Sequence, residues 1–378
     1  MNNKNTDIMS VLLKKPIFEG ISNQELAQQL EARKKCEKKL PVWFGTPKIY
    51  YPAKLNIEQT SSEITARYKA GIVTGKSLLD ATGGFGVDSY YFSQKIERVF
   101  HCEIDKNLSQ IAAHNFRVLG AENSKTIPTD GMEFLKDAET RFDWIYLDPS
   151  RRNDSKGKVF RLSDCLPNVL DDLELLFTKS DNILLKTSPL LDFSIGIAEL
   201  KNVQEIHVIA VNNEVKELLW LLRKGYVSEI AVKTINLSKT GKETFQFRLH
   251  EEKNASPTYS LPLSYVYVPN AAILKSGAFR MVGNRYGLYK LHVHTHLYTS
   301  DTLVDFPGRR FRLDMAFPYS KRNLKRLGLD KANISTRNFS ESVAEIRKKF
   351  KIADGGDRYL FFVTDKNEVR TVLYCTKT

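Results

Sequence analysis

Between residues 77 and 249 the hydrophobic positions fall into short apolar runs, each closed by an acid or a small polar residue. The runs lie at 77–80, 98–103, 124–130, 142–149, 182–186 and 205–211, with longer mixed stretches between them. Short apolar runs alternating with helix-length segments predict strands joined by helices around a mostly parallel sheet. Helices are expected from residue 87, over 166–178 and over 214–222. Two further strands, 229–237 and 244–249, alternate in polarity and meet at a Lys-Thr-Gly turn. The pattern predicts an α/β fold of the seven-stranded doubly wound Rossmann-like class.

The flanking segments have other patterns. Residues 8–40 read as helices, with Ser22 and Glu25 spaced as a capping box and Leu26 and Leu30 on one stripe. The aromatic stretches 42–44 and 49–51 fit a core better than an exposed stacking surface. Residues 59–65 open another helix, with hydroxyls at Thr60, Ser61 and Ser62 as caps. Beyond the sheet, 258–305 reads as short strands with a helix starting near Asn270. His292, His294 and His296 alternate, so a strand there would place all three on one face. That spacing could hold a metal, but no cysteine or acid stands next to it. A solvent-facing or polyanion-facing strand is the preferred reading, with no metal. From Phe306 the chain reads as a small α+β module. Its first helix carries Lys321, Arg322, Lys325 and Arg326, its second is closed by 347–351, and a hairpin is built from 359–363 and 371–374. The expected divisions are 1–57, 58–252, 258–305 and 306–378.

The chemistry concentrates in Asp80-Ala81-Thr82-Gly83-Gly84-Phe85-Gly86, a strand end followed by a glycine turn and a helix. Such a turn lets a nucleotide approach the backbone closely. The dinucleotide pattern G-x-G-x-x-G would need glycine at 89, where Ser89 stands. Asp80 would repel a pyrophosphate and attract an ammonium group. Further acids close the next strands. Glu103, with Asp105 as the nearby alternative, is spaced to accept from ribose hydroxyls; Asp130 could accept from an adenine amine; Asp148 ends the fourth strand. Acids in this order fit S-adenosylmethionine (SAM) better than a nicotinamide dinucleotide.

Composition narrows the partners. The 378 residues carry a net charge of +13, unevenly spread. Residues 1–70 hold 12 Lys/Arg against 7 Asp/Glu, residues 71–305 hold 28 against 29, and residues 306–378 hold 17 against 8. A neutral middle with a basic end fits a polyanion partner such as RNA. No apolar run approaches membrane-spanning length, and residues 1–7 lack a signal peptide's apolar core. Cys36, Cys102, Cys165 and Cys375 have no metal or disulfide spacing, so a reduced, cytoplasmic protein is expected.

On these residues the chain resembles the class I SAM-dependent methyltransferases. The stretch from Asp80 to Gly86 looks like their first motif. Glu103, Asp130 and Asp148-Pro149-Ser150-Arg151-Arg152 look like the later ones. The stretch from about Phe306 resembles the THUMP-like domain of a group of bacterial methyltransferases, preceded by a ferredoxin-like module. The resemblance implies a SAM site formed by Asp80, Thr82, Gly84, Gly86, Glu103, Ile104, Asp130, Gly131, Met132 and Asp148, with Thr60 and Ser61 as secondary candidates. It also implies an RNA substrate, tRNA or rRNA, gripped by Arg151, Arg152, Lys321, Arg322, Lys325 and Arg326. Asp148-Pro149-Ser150-Arg151 lacks the aromatic that usually stacks on an amine-bearing base. No cysteine stands where a pyrimidine C5 nucleophile belongs, since Cys165 falls in or near an expected helix. Methylation of a base nitrogen is left, with Asp148 accepting a hydrogen bond and Arg151 holding phosphate or base. Two alternatives are an RNA-binding protein with a degenerate transferase domain, and a transferase for a small molecule or protein.

Overall fold

The structure, a computed structural model, describes residues 7–15, 17–151, 161–239 and 241–378. The chain divides into two compact units, residues 1–204 with 218–228, and residues 205–217 with 229–378.

In the first unit the strands are β1 (Ser77–Asp80), β2 (Arg98–Cys102), β3 (Ser124–Ile127), β4 (Trp144–Leu147), the short pair β5 (Ser150–Arg151) and β6 (Cys165–Leu166), and β7 (Asn182–Thr187). β8 (Val203–Val211) and β9 (Glu214–Arg223) cross from one unit into the other. The order within the unit is β9-β7-β4-β1-β2-β3, parallel except for β9. This layout lines up the carboxyl ends of β1, β2, β3, β4 and β7 on one edge, where open α/β sheets bind ligands.

β9 overturns the helix expected over 214–222. Its residues 218–222 are buried, and it pairs antiparallel with β7, Leu184 opposite Leu221. A strand covered on both faces is continuously apolar, so periodicity alone could not separate it from a buried helix. The usable signal was the preceding Asn212-Asn213, both left-handed at φ 50° and 64°, as in a two-residue hairpin turn.

Helices of the N-terminal segment pack as expected. Ser22 Oγ accepts from the Glu25 N–H at 3.1 Å and opens the helix Asn23–Lys39. Trp43 is fully buried, its ring 4.6 Å from that of Phe85 in the glycine turn. The core reading thus holds for Trp43 and for Tyr51, which is also buried, whereas Tyr50 is exposed.

Beneath the same turn lies a buried ionic network. Lys69, in the helix Glu63–Ala70, is 0% exposed, and its Nζ lies 3.1 Å from Asp88 Oδ1. Lys69 also donates to Ser61 Oγ at 2.8 Å. The hydroxyls of Ser61 and Tyr146 donate to Asp88 Oδ2, each at 2.8 Å. Burial would raise the Asp88 pKa, but Lys69 and Lys186, with the Tyr146 and Ser61 hydrogen bonds, hold it below the ordinary carboxylate value.

In the second unit β10 (Ala231–Ser238) pairs parallel with β8 and antiparallel with β11 (Gly241–Arg248). With β7, β4, β1, β2, β3 and β9 these make nine strands, where a seven-stranded sheet was expected. A separate sheet holds β12 (Tyr265–Pro269), β13 (Tyr289–Lys290), β14 (Tyr298–Ser300), β15 (Gly308–Pro318), β16 (Asn333–Arg337), β17 (Arg358–Thr364) and β18 (Arg370–Lys377), in the order β13-β14-β12-β15-β18-β17-β16. Residues 292–296 lie in the turn between β13 and β14 and are not a strand, so the three histidines share no strand face. His292 Nδ1 faces the His294 N–H at 3.1 Å and the Asn338 amide at 3.0 Å, and its Nε2 faces Glu368 at 2.8 Å. That hydrogen bonding makes Nε2 the protonated nitrogen and His292 a fastener of the turn. Among the described residues no group of His, Cys, Asp and Glu could hold a metal.

Removing the Asp88 carboxylate leaves Lys69 charged and buried, which costs about 3–5 kcal/mol. Asp88→Ala should therefore lower unfolding free energy by that order in chemical denaturation. The double variant Lys69→Met with Asp88→Asn should lose much less, because no uncompensated charge is left behind.

Candidate functional site

The site is built on the edge where β1, β2, β3 and β4 end. After β1 the chain turns sharply: the Thr82 N–H donates to Asp80 Oδ1 at 3.2 Å and the Ser89 hydroxyl to Asp80 Oδ2 at 2.6 Å. Asp80 is 1% exposed, so its carboxylate braces the turn from below. Burial pushes its pKa up to about 7, against the lowering effect of the Ser89 hydrogen bond.

The glycines answer to different constraints. A Cβ on Gly83 would lie 1.7 Å from His101 Nδ1, and one on Gly131 would lie 2.2 Å from the Ala81 carbonyl oxygen. Both are glycine because protein packs against them. Gly84 is left-handed at φ +56°, and a Cβ there would find its nearest neighbour 4.0 Å away. The space over Gly84 is thus open, and a ligand can reach its backbone.

Glu103, just past β2, crosses to this loop. Its Oε2 accepts from the Gly84 N–H and its Oε1 from the Asp105 N–H, both at 2.8 Å. Each oxygen keeps a lone pair, enough to accept from two vicinal hydroxyls. Ile104 beside it is 71% exposed, an apolar side chain at a polar strand end. Asp130 caps the helix Gly131–Asp137: its Oδ1 accepts from the Met132 and Glu133 N–H groups at 2.7 and 3.2 Å. Met132 is buried under the same end. Asp105 instead caps the helix Lys106–Val118 through the Asn107 and Leu108 N–H groups. Glu103 is therefore the acid held toward the open loop.

After β4, the Asp148 N–H donates to Thr82 Oγ1 at 2.7 Å, so the first motif and the fourth strand end are tied directly. The Asp148 carboxylate forms an ion pair with Lys186, on β7. Lys186 was not among the expected site residues. The only sequence signal for it was a lysine within a strand of otherwise apolar character. Ser61 is engaged by Asp88 and Lys69, and Thr60 caps the end of the helix Lys54–Gln59. Arg152 lies outside the described residues, as does the side chain of Arg151. Cys165 is on β6, paired with Arg151, and is not helical.

The donor set fits SAM. The open Gly84 backbone, the two free acceptor positions on Glu103, the exposed Ile104 and the acid at Asp130 could receive an adenosine, and the Asp148 carboxylate, with Asp80 once it ionises, could face a cationic group.

A crystal structure from Porphyromonas gingivalis, assigned to the methyltransferases, superposes with a TM-score of 0.92 at 33% identity, covering 99% of this chain and 95% of that one. The chain belongs to this family of SAM-dependent methyltransferases. An uncharacterised S-adenosylmethionine-dependent methyltransferase of Mycobacterium tuberculosis is 23% identical over 248 residues, 65% of this chain, and the match spans 65% of that relative's length. Family models match at residues 265–307, a ferredoxin-like domain, and at 308–377, a THUMP domain-like region. In this methyltransferase the two matched segments share one sheet, since β12 pairs with β15.

Two measurements probe the site. Glu103→Ala should weaken SAM binding in calorimetry by about tenfold or more, the worth of charge-assisted hydrogen bonds, whereas Asp105→Ala should cost about 1 kcal/mol of stability as a lost helix cap and leave SAM binding nearly unchanged. The second concerns Asp80, whose carboxyl stays protonated in the folded protein up to about pH 7 but ionises near pH 4 once unfolded. Unfolding then releases a proton across that window, so stability falls as pH rises from about 4 to about 7. Thermal melts of Asp80→Asn should gain on the wild type between about pH 4 and about pH 7; a constant difference would remove Asp80 as the titrating group.

Proposed function

We propose that this methyltransferase carries the methyl group of SAM to a base nitrogen of a structured RNA, tRNA or rRNA, in the cytoplasm. The observation that carries the reading is the Asp148–Lys186 pair at the ends of β4 and β7, tied by Thr82 to the glycine turn. Bound SAM would supply an electrophilic methyl on a sulfonium. In-line displacement at that carbon depends mainly on positioning. The Thr82 hydroxyl fixes the Asp148 backbone, and Lys186 fixes the direction of its carboxylate. That carboxylate can accept a hydrogen bond from an N–H acceptor and take up the positive charge that develops on nitrogen. Against a covalent pyrimidine adduct stands the state of Cys165, the cysteine that pairs across from Arg151: its thiol is buried and donates to the Arg161 carbonyl at 3.7 Å.

The RNA part of the reading is supported by the THUMP domain-like match and by charge. In the helix Lys321–Arg326 only Leu324 turns inward; Lys321, Arg322, Lys325 and Arg326 are exposed and pair with no carboxylate among the described residues. Four free cations on one short helix suit a phosphate backbone. Arg151 and Arg152 are kept in the proposal as further phosphate or base contacts on sequence grounds.

The decisive experiment supplies labelled SAM to RNA and to a metabolite extract, both from cells lacking the gene. Label should enter RNA; label confined to metabolites would overturn the RNA substrate. On the labelled RNA, Asp148→Asn should slow transfer roughly 100-fold, about 2.7 kcal/mol of transition-state stabilisation, with SAM affinity little changed. Lys186→Met should slow it in the same direction, since Asp148 would lose its orienting partner.

A further inference from the structure

The turn between β13 and β14, which gathers the three histidines, lies on a sheet face that also carries two arginines without counter-ions. Arg309 and Phe311 alternate onto one face of β15. Phe311 packs there with Leu291 and Leu297 of the turn and with Val363, and Val363 is the register partner of Arg337. The turn is pinned to this face, with Thr295 Oγ1 donating to the Thr364 carbonyl at 2.6 Å and His292 held by Glu368 and Asn338.

Neighbouring arginines in this unit have acids: Arg310 pairs with Asp305, Arg312 and Arg358 with Asp314, and Arg347 with Asp354. Arg309 and Arg337 pair with none among the described residues. Arg309 Nε is buried with no hydrogen-bond partner, and its guanidinium stands 5.8 Å over the Phe311 ring. Arg337 donates only to the Thr336 carbonyl, at 3.0 Å. Burial, and then the charge of Arg309, push the Arg337 pKa below its ordinary value. His296 is left-handed at φ 52°, stacked 3.7 Å from Phe279, with Nδ1 buried and unpartnered. Non-glycine residues held in that region cluster at functional sites. Lys290, also buried, donates to the Val293 carbonyl and lies 5.9 Å over the Phe279 ring. The nearby carboxylates are already committed: Glu252 accepts from the Phe279, Arg280 and Met281 N–H groups, and Glu368 faces His292.

We propose that Arg309 and Arg337, with the His296 ring as a hydrogen-bond donor and Lys290 adding positive potential, form a binding site for a phosphate group. Two guanidiniums that repel each other gain most from a shared oxyanion, because each can present paired N–H donors to phosphate oxygens. The site deepens the RNA reading and rests on it only for the source of the phosphate, an RNA backbone rather than free phosphate.

The test uses the full chain. Inorganic phosphate at about 10 mM should raise the melting temperature of the wild type above that in chloride of equal ionic strength, as any ligand of the folded state does. Arg309→Gln and Arg337→Gln should abolish that shift. Without phosphate each should melt no lower than the wild type, because one of two repelling charges is gone. Arg337→Lys, which keeps the charge but loses the paired donors, should retain only part of the shift. No phosphate shift in the wild type, or an equal shift in both glutamine variants, overturns the site. In the second arm, tRNA binding should weaken about tenfold in each glutamine variant and its salt slope should fall by about one phosphate. A lost phosphate shift with unchanged tRNA binding would support the site and assign it to free phosphate. A wild type that binds no RNA would overturn the RNA reading while the phosphate arm still decides the site.

Discussion

The buried Lys69–Asp88 pair is the constraint on which the cofactor edge depends. Asp88 sits in the first turn of the helix that follows the glycine loop, and Lys69 comes from the helix that precedes β1. An ion pair out of water is a poor source of stability, because desolvation offsets much of the attraction. Its value is geometric: a buried charge tolerates few alternative partners, so the two helices cannot slide past each other. Tyr146 adds β4 to the same point and Ser61 the segment before the helix. Four pieces of chain around β1 are thereby fixed together, and the glycine loop between them inherits that fixity.

The loop itself shows why one motif can hide several jobs. Gly83 and Gly131 are required by neighbouring protein atoms, and only Gly84 opens toward ligand space. Asp80, read from sequence as a direct ligand for an ammonium, is instead buried and spends its oxygens on Thr82 and Ser89. It can still act on a cation through its charge, at short range and low dielectric, and a carboxyl with its pKa near 7 is poised to ionise when a positive group arrives.

Local patterns carried most of the fold. Strand ends marked by acids, the glycine turn and the helix caps at Ser22, Asp105 and Asp130 are short-range signals, and they were legible. What failed were features set by tertiary cover. β9 is apolar on both faces, so its period says nothing. The histidine segment is held as a turn by Glu368 and Asn338, which are distant in sequence. Lys69 and Lys186 look like ordinary surface lysines until their partners arrive from other elements. Buried polar networks are the class of feature that a single sequence conceals best, because each member is unremarkable alone.

The distribution of charge then follows from the chemistry of the site. Asp80, Glu103, Asp130 and Asp148 crowd one sheet edge with carboxylates, which suits a sulfonium and an ammonium but repels a polyanion. On the proposed RNA reading, the attraction for such a polyanion has to come from elsewhere. The first unit pairs its lysines at and beneath this edge, Lys69 with Asp88 and Lys186 with Asp148. The second unit leaves cations unpaired on the helix Lys321–Arg326 and at Arg309 and Arg337. Pairing hides a charge from a distant phosphate and leaving it unpaired presents it, so where this chain omits its counter-ions is as informative as where it places its lysines and arginines.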